Sequence, residues 1–490
     1  MQRREFIQCL AALSLAQPFE ESFAATTTVL VRQDIRTFSQ DSHRVSQLRN
    51  AVYRLSGRGY TDPISWFNYA GIHEIASTDP NISKVPKAIQ ALWHQCHKRE
   101  SLFFLWHRAY VWALERMMQA SVGDSTFRLP YWDWYTDPAL PEIFRPKYVV
   151  VNGVRKTNPL YIANRNSGVN AGYDIWTPKV TTNFNETSFA TFQQRLNSAE
   201  HGTIHIAVGT STNMGNKATA ARDPIFFLHH AQMDRLLMAW LGVNRSTHKA
   251  PTTYTGWDPT VYRFPVYSGG VVTPTTQELA LGSMQAMGYS YENTKAPNLT
   301  AVVPASPGTV SGLSTMNSTR ILTDQATALS SSTQLSISSD ATIELPISNA
   351  GGEKLRSFGM TDETSAPRSS KQLDLVLENV RLLSFPEGLL SYEVFLDLPP
   401  SPTRNADFED FYVGSINLFE LGHMGADHPG MRHTATLRFD ITKKAMRVLR
   451  RSRTLRVSFV SVLSPGASSS ATPVLEIGEA RIEAATKRNE

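Results

Sequence analysis

The chain has 490 residues, enough for two to four domains. Its 41% hydrophobic, 10% aromatic and 19% charged content is that of a globular protein able to bury sizeable cores. A formal charge of +5 is small for this length and no basic block dominates, so nucleic acid is not an expected partner. Residues 1–25 read as an export signal rather than as fold. Arg3-Arg4 precede a short apolar centre, CLAALSLA, and small residues follow near Ala24-Ala25, as in a twin-arginine signal. That route exports folded proteins, which suits a cofactor loaded beforehand, and it implies a bacterial source and a periplasmic or secreted product. The apolar run is too short to span a membrane, and no membrane partner is expected. Cys9 would leave with the signal, so the mature chain would hold no intrachain disulfide. Cys96 reads as a buried inert thiol.

Residues 29–35 read as a short strand and 44–55 as an amphipathic helix, with Val45, Leu48, Val52 and Leu55 on one stripe. His73 follows in WFNYAGIHEI. Next comes HKRESLFFLWHR, residues 97–108, in which His97 and His107 flank an aromatic run that leads into a helix over 109–118. LPYWDW closes that unit, and residues 139–185 read as long loops. In EHGTIHIAVG, His201 and His205 are four apart, so one helical turn can aim both at one ion. The run RDPIFFLHHAQMDR, residues 222–235, reads as the start of a buried helix from Pro224 through Trp240. It carries His229 and His230, and Asp234 shares a face with His230, where it could accept the second N–H of a metal-bound imidazole. Arg235 is expected beside it. Two sets of imidazoles, with no carboxylate or thiolate required, suit copper, zinc, iron or nickel and disfavour calcium or magnesium.

These motifs (LFFLWHR, LPYWDW, HGTIH, NMGN and RDPIFFLHHAQMDR) resemble the tyrosinase, catechol oxidase and haemocyanin superfamily of type-3 copper proteins, and plant-type polyphenol oxidases above all. The resemblance covers roughly residues 60–240. It implies a mainly α catalytic domain, a four-helix bundle holding two copper ions. His73, His97 and His107 would hold the first copper, and His201, His205 and His230 the second, with His229 behind them. It implies oxidation of o-diphenols, and of monophenols or o-aminophenols, to o-quinones, with O2 and a small phenol as partners. A haemocyanin-like oxygen carrier is the alternative. The chain also departs from the family. His97 to His107 is one residue longer than the usual spacing, which keeps His94 as an alternative ligand. The Glu that orients a water in many relatives is replaced by Ser198 and Asn197, while Glu200 abuts His201. Lys217 stands where plant-type enzymes carry a Phe over the first copper, which puts a charge at the entrance.

Residues 26–300 are thus expected to form the copper domain, and the Ser/Thr-rich 301–369 a linker. From 370 to 490, segments such as LDLVLENVRL, LSYEVFLDLP, FYVGSINLFEL and LRVSFVSVL alternate apolar and polar residues, which predicts a β-sandwich or barrel. The resemblance implies that this domain covers the copper site in a latent proenzyme.

Overall fold

The computed structural model describes residues 29–96, 100–166, 182–254, 256–267, 270–273, 284–297, 314–315, 328–349, 351–353, 371–386, 388–399, 405–423, 434–449, 451–463 and 472–486, with Val169 and Ala467. Residues 1–25, read above as an export signal, His97 and most of the region between 298 and 327 lie outside the described residues. The chain divides into two compact units. The first comprises Met1–Tyr173, Asn183–Gln194 and Val208–Asn298; the second comprises Asp174–Thr182, Arg195–Ala207 and Leu299–Glu490. Among the described residues no helix is long and apolar enough to cross a membrane.

The first unit is helical. Helix α1 (Ser42–Ser56) starts on Asp41, whose carboxylate accepts the N–H groups of His43 and Arg44. Ser65 caps α2 (Trp66–His73) in the same way. The long α3 (Phe103–Val122) ends at Gly123, which takes the left-handed conformation with φ 73° that glycine adopts at low cost. Helices α4 (Phe189–Leu196) and α6 (Ile225–Val243) follow, while α5 (Gly202–Val208) falls, but for its last residue, in the second unit. α3 packs against both α1 and α6. Phe192 of α4 lies parallel to Phe104 at 6.0 Å and to Trp240 at 4.9 Å between ring centres, which ties α4 to the same bundle. α3 and α6 are buried nearly all round and lack the polar stripe of a surface helix.

Strand β1 (Leu30–Arg32) pairs in parallel with β2 (Tyr289–Tyr291). Arg32, fully buried, donates to Glu115 of α3 at 2.9 Å and to the Tyr291 hydroxyl at 2.9 Å, and its guanidinium lies 3.7 Å above the Tyr289 ring. The Asp234 carboxylate of α6 accepts from Arg108 of α3 at 2.5 Å and from the Tyr289 and Tyr291 hydroxyls at 2.7 Å each. Two buried cations thus meet two buried carboxylates, and hydrogen bonds fill most of the remaining valences. Burial, reinforced by Asp234, pushes both phenols well above their usual range, so they stay protonated and act as donors.

The second unit carries the predicted β architecture. Its strands are β3 (Ala328–Ile337), β4 (Ala341–Pro346), β5 (Lys371–Leu382), β6 (Leu389–Leu396), β7 (Tyr412–Asn417), β8 (Ala435–Asp440), β9 (Thr454–Leu463) and β10 (Leu475–Thr486). One sheet runs β8-β5-β10-β3, and the other runs β7-β6-β9-β4 with Ser314–Thr315 at its edge. Pairing among β3 to β10 is antiparallel. The structure differs from the sequence reading in two places. Residues 328–346, read as linker, supply β3 and β4. Leu335, Ile337, Ile343 and Leu345 point inward there, and serines and threonines, which fit a pleated surface, occupy much of the rest. The strand read through NLFEL stops at Asn417, whose side chain accepts the Phe419 N–H at 2.9 Å and opens helix α7 (Leu418–His423).

The paired charges generate a prediction. Asp234→Asn would leave Arg32 and Arg108 with one carboxylate between them. It should cost about 3–5 kcal/mol in urea unfolding. A midpoint equal to wild type would show that charge balance at Asp234 is not needed.

Candidate metal centre

The first group of donors lies wholly in the helical unit. His73 is the last residue of α2, and His107 sits in the second turn of α3. The Nδ1 of His73 is 3.1 Å from the Lys217 carbonyl, and the Nδ1 of His107 is 2.8 Å from the Phe103 carbonyl. A carbonyl can only accept, so each Nδ1 carries the proton and each Nε2 presents a lone pair. Cys96 Sγ lies 3.8 Å from His107 Nε2, and donor atoms of His73, Cys96 and His107 all fall within 4.8 Å of one another. Cys96 is buried, as the sequence reading has it, and it lies within the donor cluster. His94 has a left-handed backbone, φ 58°; its side chain is 49% exposed and pairs with Glu74. That orientation does not favour it as the alternative ligand.

His230, on α6, lies beside His107. Its ring stacks on that of His107 at 4.1 Å with the planes 7° apart. Phe226, one turn earlier, meets His73 edge-on at 4.9 Å and His230 at 4.2 Å. His229 is also buried, but its Nδ1 accepts the Trp134 indole N–H at 3.2 Å. The hydrogen bonds of Asp234 and Arg235 go to groups other than the histidines. Asp234 serves Arg108 and two tyrosines rather than an imidazole. Arg235 donates to Gln232 and to the carbonyls of Asn293 and Lys295, with Asp133 at 3.3 Å. The four-residue spacing placed Asp234 on the face of His230, but buried arginines outcompete an imidazole for a carboxylate. Lys217 is buried, and the contact identified for it is through its carbonyl, to His73.

The other histidine pair lies in the second unit. A π-helical turn, Asn197–His201, leads into α5, and the Nε2 atoms of His201 and His205 stand 3.1 Å apart. Two imidazole lone pairs converging on one point suit a shared cation. Phe419 lies flat on His205, with ring centres 3.9 Å apart and planes at 11°, and meets His201 edge-on at 5.7 Å. Beside it, Asn417 donates to the Asn197 carbonyl at 3.2 Å. Asn197 thus joins this contact through its main chain. Glu200, fully buried, accepts both the N–H and the hydroxyl of Thr182. Phe419 and Asn417 went unnoticed in the sequence, where SINLFEL looks like any strand end.

Buried imidazoles with backbone-fixed tautomers, and a nearby sulfur, are a donor set for copper or zinc rather than for calcium or magnesium. The family model "Common central domain of tyrosinase" matches residues 63–174 and 157–242. Residues 63–242 thus resemble the central domain of the tyrosinase family. The chain is 26% identical over 316 residues to a tyrosinase of Hahella sp., covering 56% of this chain and 65% of that protein. It is 29% identical over 173 residues to a chloroplastic polyphenol oxidase of Malus domestica, covering 28% and 29%. The aligned regions thus span less than two thirds of these relatives. In fold, the chain resembles a latent aurone synthase (polyphenol oxidase), with a TM-score of 0.61 at 18% identity over 97% of this chain and 93% of that one. The tyrosinase family's cofactor is a pair of copper ions, and the donors described above fit it.

Gly202 allows the closest approach in this region. A Cβ there would fall inside the Asn417 side chain, which its bonds to Asn197 and Phe419 hold in place. Gly202→Ala should therefore destabilise the protein by about 1–3 kcal/mol, as overpacking does. Adding Asn417→Gly should recover part of the loss in thermal unfolding. A Gly202→Ala protein with wild-type melting would show that the contact is loose.

Proposed function

We propose that the protein is a copper-dependent polyphenol oxidase that oxidises o-diphenols to o-quinones with O2. His73, His97 and His107 would hold one copper, and His201, His205 and His230 the other. The observation that carries this reading is the His73 and His107 pair. Each is locked by a backbone carbonyl into the tautomer that offers Nε2 to a metal, and His230 is stacked on His107. Two copper ions would supply electron exchange with O2 and Lewis acidity toward a phenolic oxygen. The chain's own part is to hold the imidazoles and, through Phe103 and Phe226 beside them, to keep water away and offer flat apolar surface to an aromatic ring. His229, with Nδ1 committed to Trp134, is read as a support rather than a ligand. The Arg3-Arg4 pattern supports export as a folded, loaded protein.

Copper analysis tests the assignment. His107→Ala and His230→Ala should each lose about half the copper and nearly all catechol turnover, because neither site reacts alone. His229→Ala should retain more copper than His230→Ala; the reverse order would overturn the ligand choice. Reversible O2 uptake without catechol oxidation would replace the enzyme with an oxygen carrier.

We further propose that the C-terminal β domain keeps the enzyme latent, with Phe419 as the residue that occupies substrate space over His205. Cleavage within residues 301–327, ahead of β3, or Phe419→Ala in the intact chain, should raise diphenol oxidation. Intact, cleaved and Phe419→Ala proteins of equal activity would remove latency from the proposal.

A further inference from the structure

One element of the helical unit takes no part in its core. Strands Tyr148–Val151 and Val154–Thr157 form an antiparallel hairpin that closes on Asn152-Gly153, both with positive φ, 51° and 75°. That is the turn geometry a two-residue hairpin favours. Its base is fixed: the Asn158 amide donates to the carbonyls of Ile143 and Pro146 at 2.9 Å each. The rest stands in solvent. Every strand residue except Val149 is exposed, with Val150 at 73%, Val154 at 56% and Val151 at 38%. A two-stranded ribbon with neither face covered is marginal in water, and a cluster of bare valines marks a surface that something covers.

Charge and shape indicate what covers it. Lys147, Arg155 and Lys156 flank the valines, and no Asp or Glu occurs from 143 to 173. The Arg155 guanidinium lies 3.9 Å over the Tyr148 ring. The register puts Val150 opposite Arg155 and Val149 opposite Lys156, while Val151 and Val154 pair at the turn. One face thus carries Val151 and Val154 above Val149 and Lys156, and the other carries Val150 and Arg155 above Tyr148 and Thr157, so each combines valines with a cation. Edge pairing with a second copy would bring like charges together. A protein partner would cover one face and leave the other wet, whereas a fluid interface surrounds both.

We propose that this hairpin docks on an anionic lipid surface. The valines enter the boundary between headgroups and acyl chains, Tyr148 sits at headgroup level, and Lys147, Arg155 and Lys156 meet phosphates. Four strand residues reach roughly 13 Å, enough for the roughly 5–10 Å depth of an interfacial element. The sequence-based expectation of no membrane partner rested on the lack of a spanning segment, which a peripheral hairpin does not need.

The test is co-sedimentation of the full-length protein with phosphatidylcholine vesicles containing phosphatidylglycerol, against phosphatidylcholine alone. Binding should require the anionic lipid and fade with salt. Arg155→Gln and Lys156→Gln should each weaken it about fivefold, and Val150→Asp with Val154→Asp should abolish it. All these positions are exposed, so thermal unfolding should not change. Equal binding to both vesicle types, no binding, or valine variants that bind like wild type would overturn the proposal. So would a concentration-dependent dimer that Val150→Asp dissolves, because the hairpin would then be a self-interface. Salt-sensitive capture of polyglutamate that the valine variants leave unchanged, with no vesicle binding, would assign it to an acidic polymer instead.

Discussion

The Asp234 carboxylate is where the helical unit is fastened. Arg108 on α3 reaches it directly, and Tyr289 and Tyr291 on β2 donate to it. Arg32 on β1 stands 3.8 Å from it and bonds Glu115 on α3. Arg108 directly follows His107, and Asp234 lies one turn beyond His230. The ion pair that joins the two helices is therefore also the nearest clamp on the two stacked imidazoles. Buried charges of this kind add little stability over an apolar core of the same shape. They do set register, because a helix that slid by one residue would leave a charge unpaired in a dry interior. Metal ligands on separate helices need such a constraint, since a donor misplaced by about an ångström is a poor ligand.

The imidazoles are oriented by the backbone. His107 donates to the carbonyl one turn back in its own helix, and His73 donates to Lys217, in a segment distant in sequence. A main-chain acceptor cannot rotate away and does not titrate, so the tautomer is set by the fold itself. The same economy frees Asp234 for its structural role and explains why a carboxylate partner read from helical spacing did not materialise.

In the second unit, the histidine-bearing helical segment and the C-terminal strands share one local structure. The π-helical turn before His201 leaves the helix ladder irregular, and the Asn417 amide bonds to the Asn197 carbonyl there. The same asparagine caps the turn that carries Phe419 onto His205. Gly202 makes room for it. One side chain thus links the support of a histidine turn to the placement of the ring that covers it.

The helices, the histidine pairs and the β character of the C-terminal half were legible in the sequence, because periodicity and short motifs are local and each follows from the spacing of side chains along one element. The histidine motifs that carry the family resemblance were legible for the same reason. What Asp234, Arg235, Cys96, Asn417 and Phe419 do was not. Each role depends on which partner arrives from tens or hundreds of residues away, and nothing in the local pattern distinguishes a carboxylate that will meet an imidazole from one that will meet two arginines. The serine-rich stretch ahead of residue 346 was misread as linker because composition records polarity but not pairing. Only once β10 and β9 lie alongside β3 and β4 do its few inward leucines and isoleucines become core. Sequence set the elements and the donor types; tertiary contact decided which donors meet, in which tautomer, and what covers them.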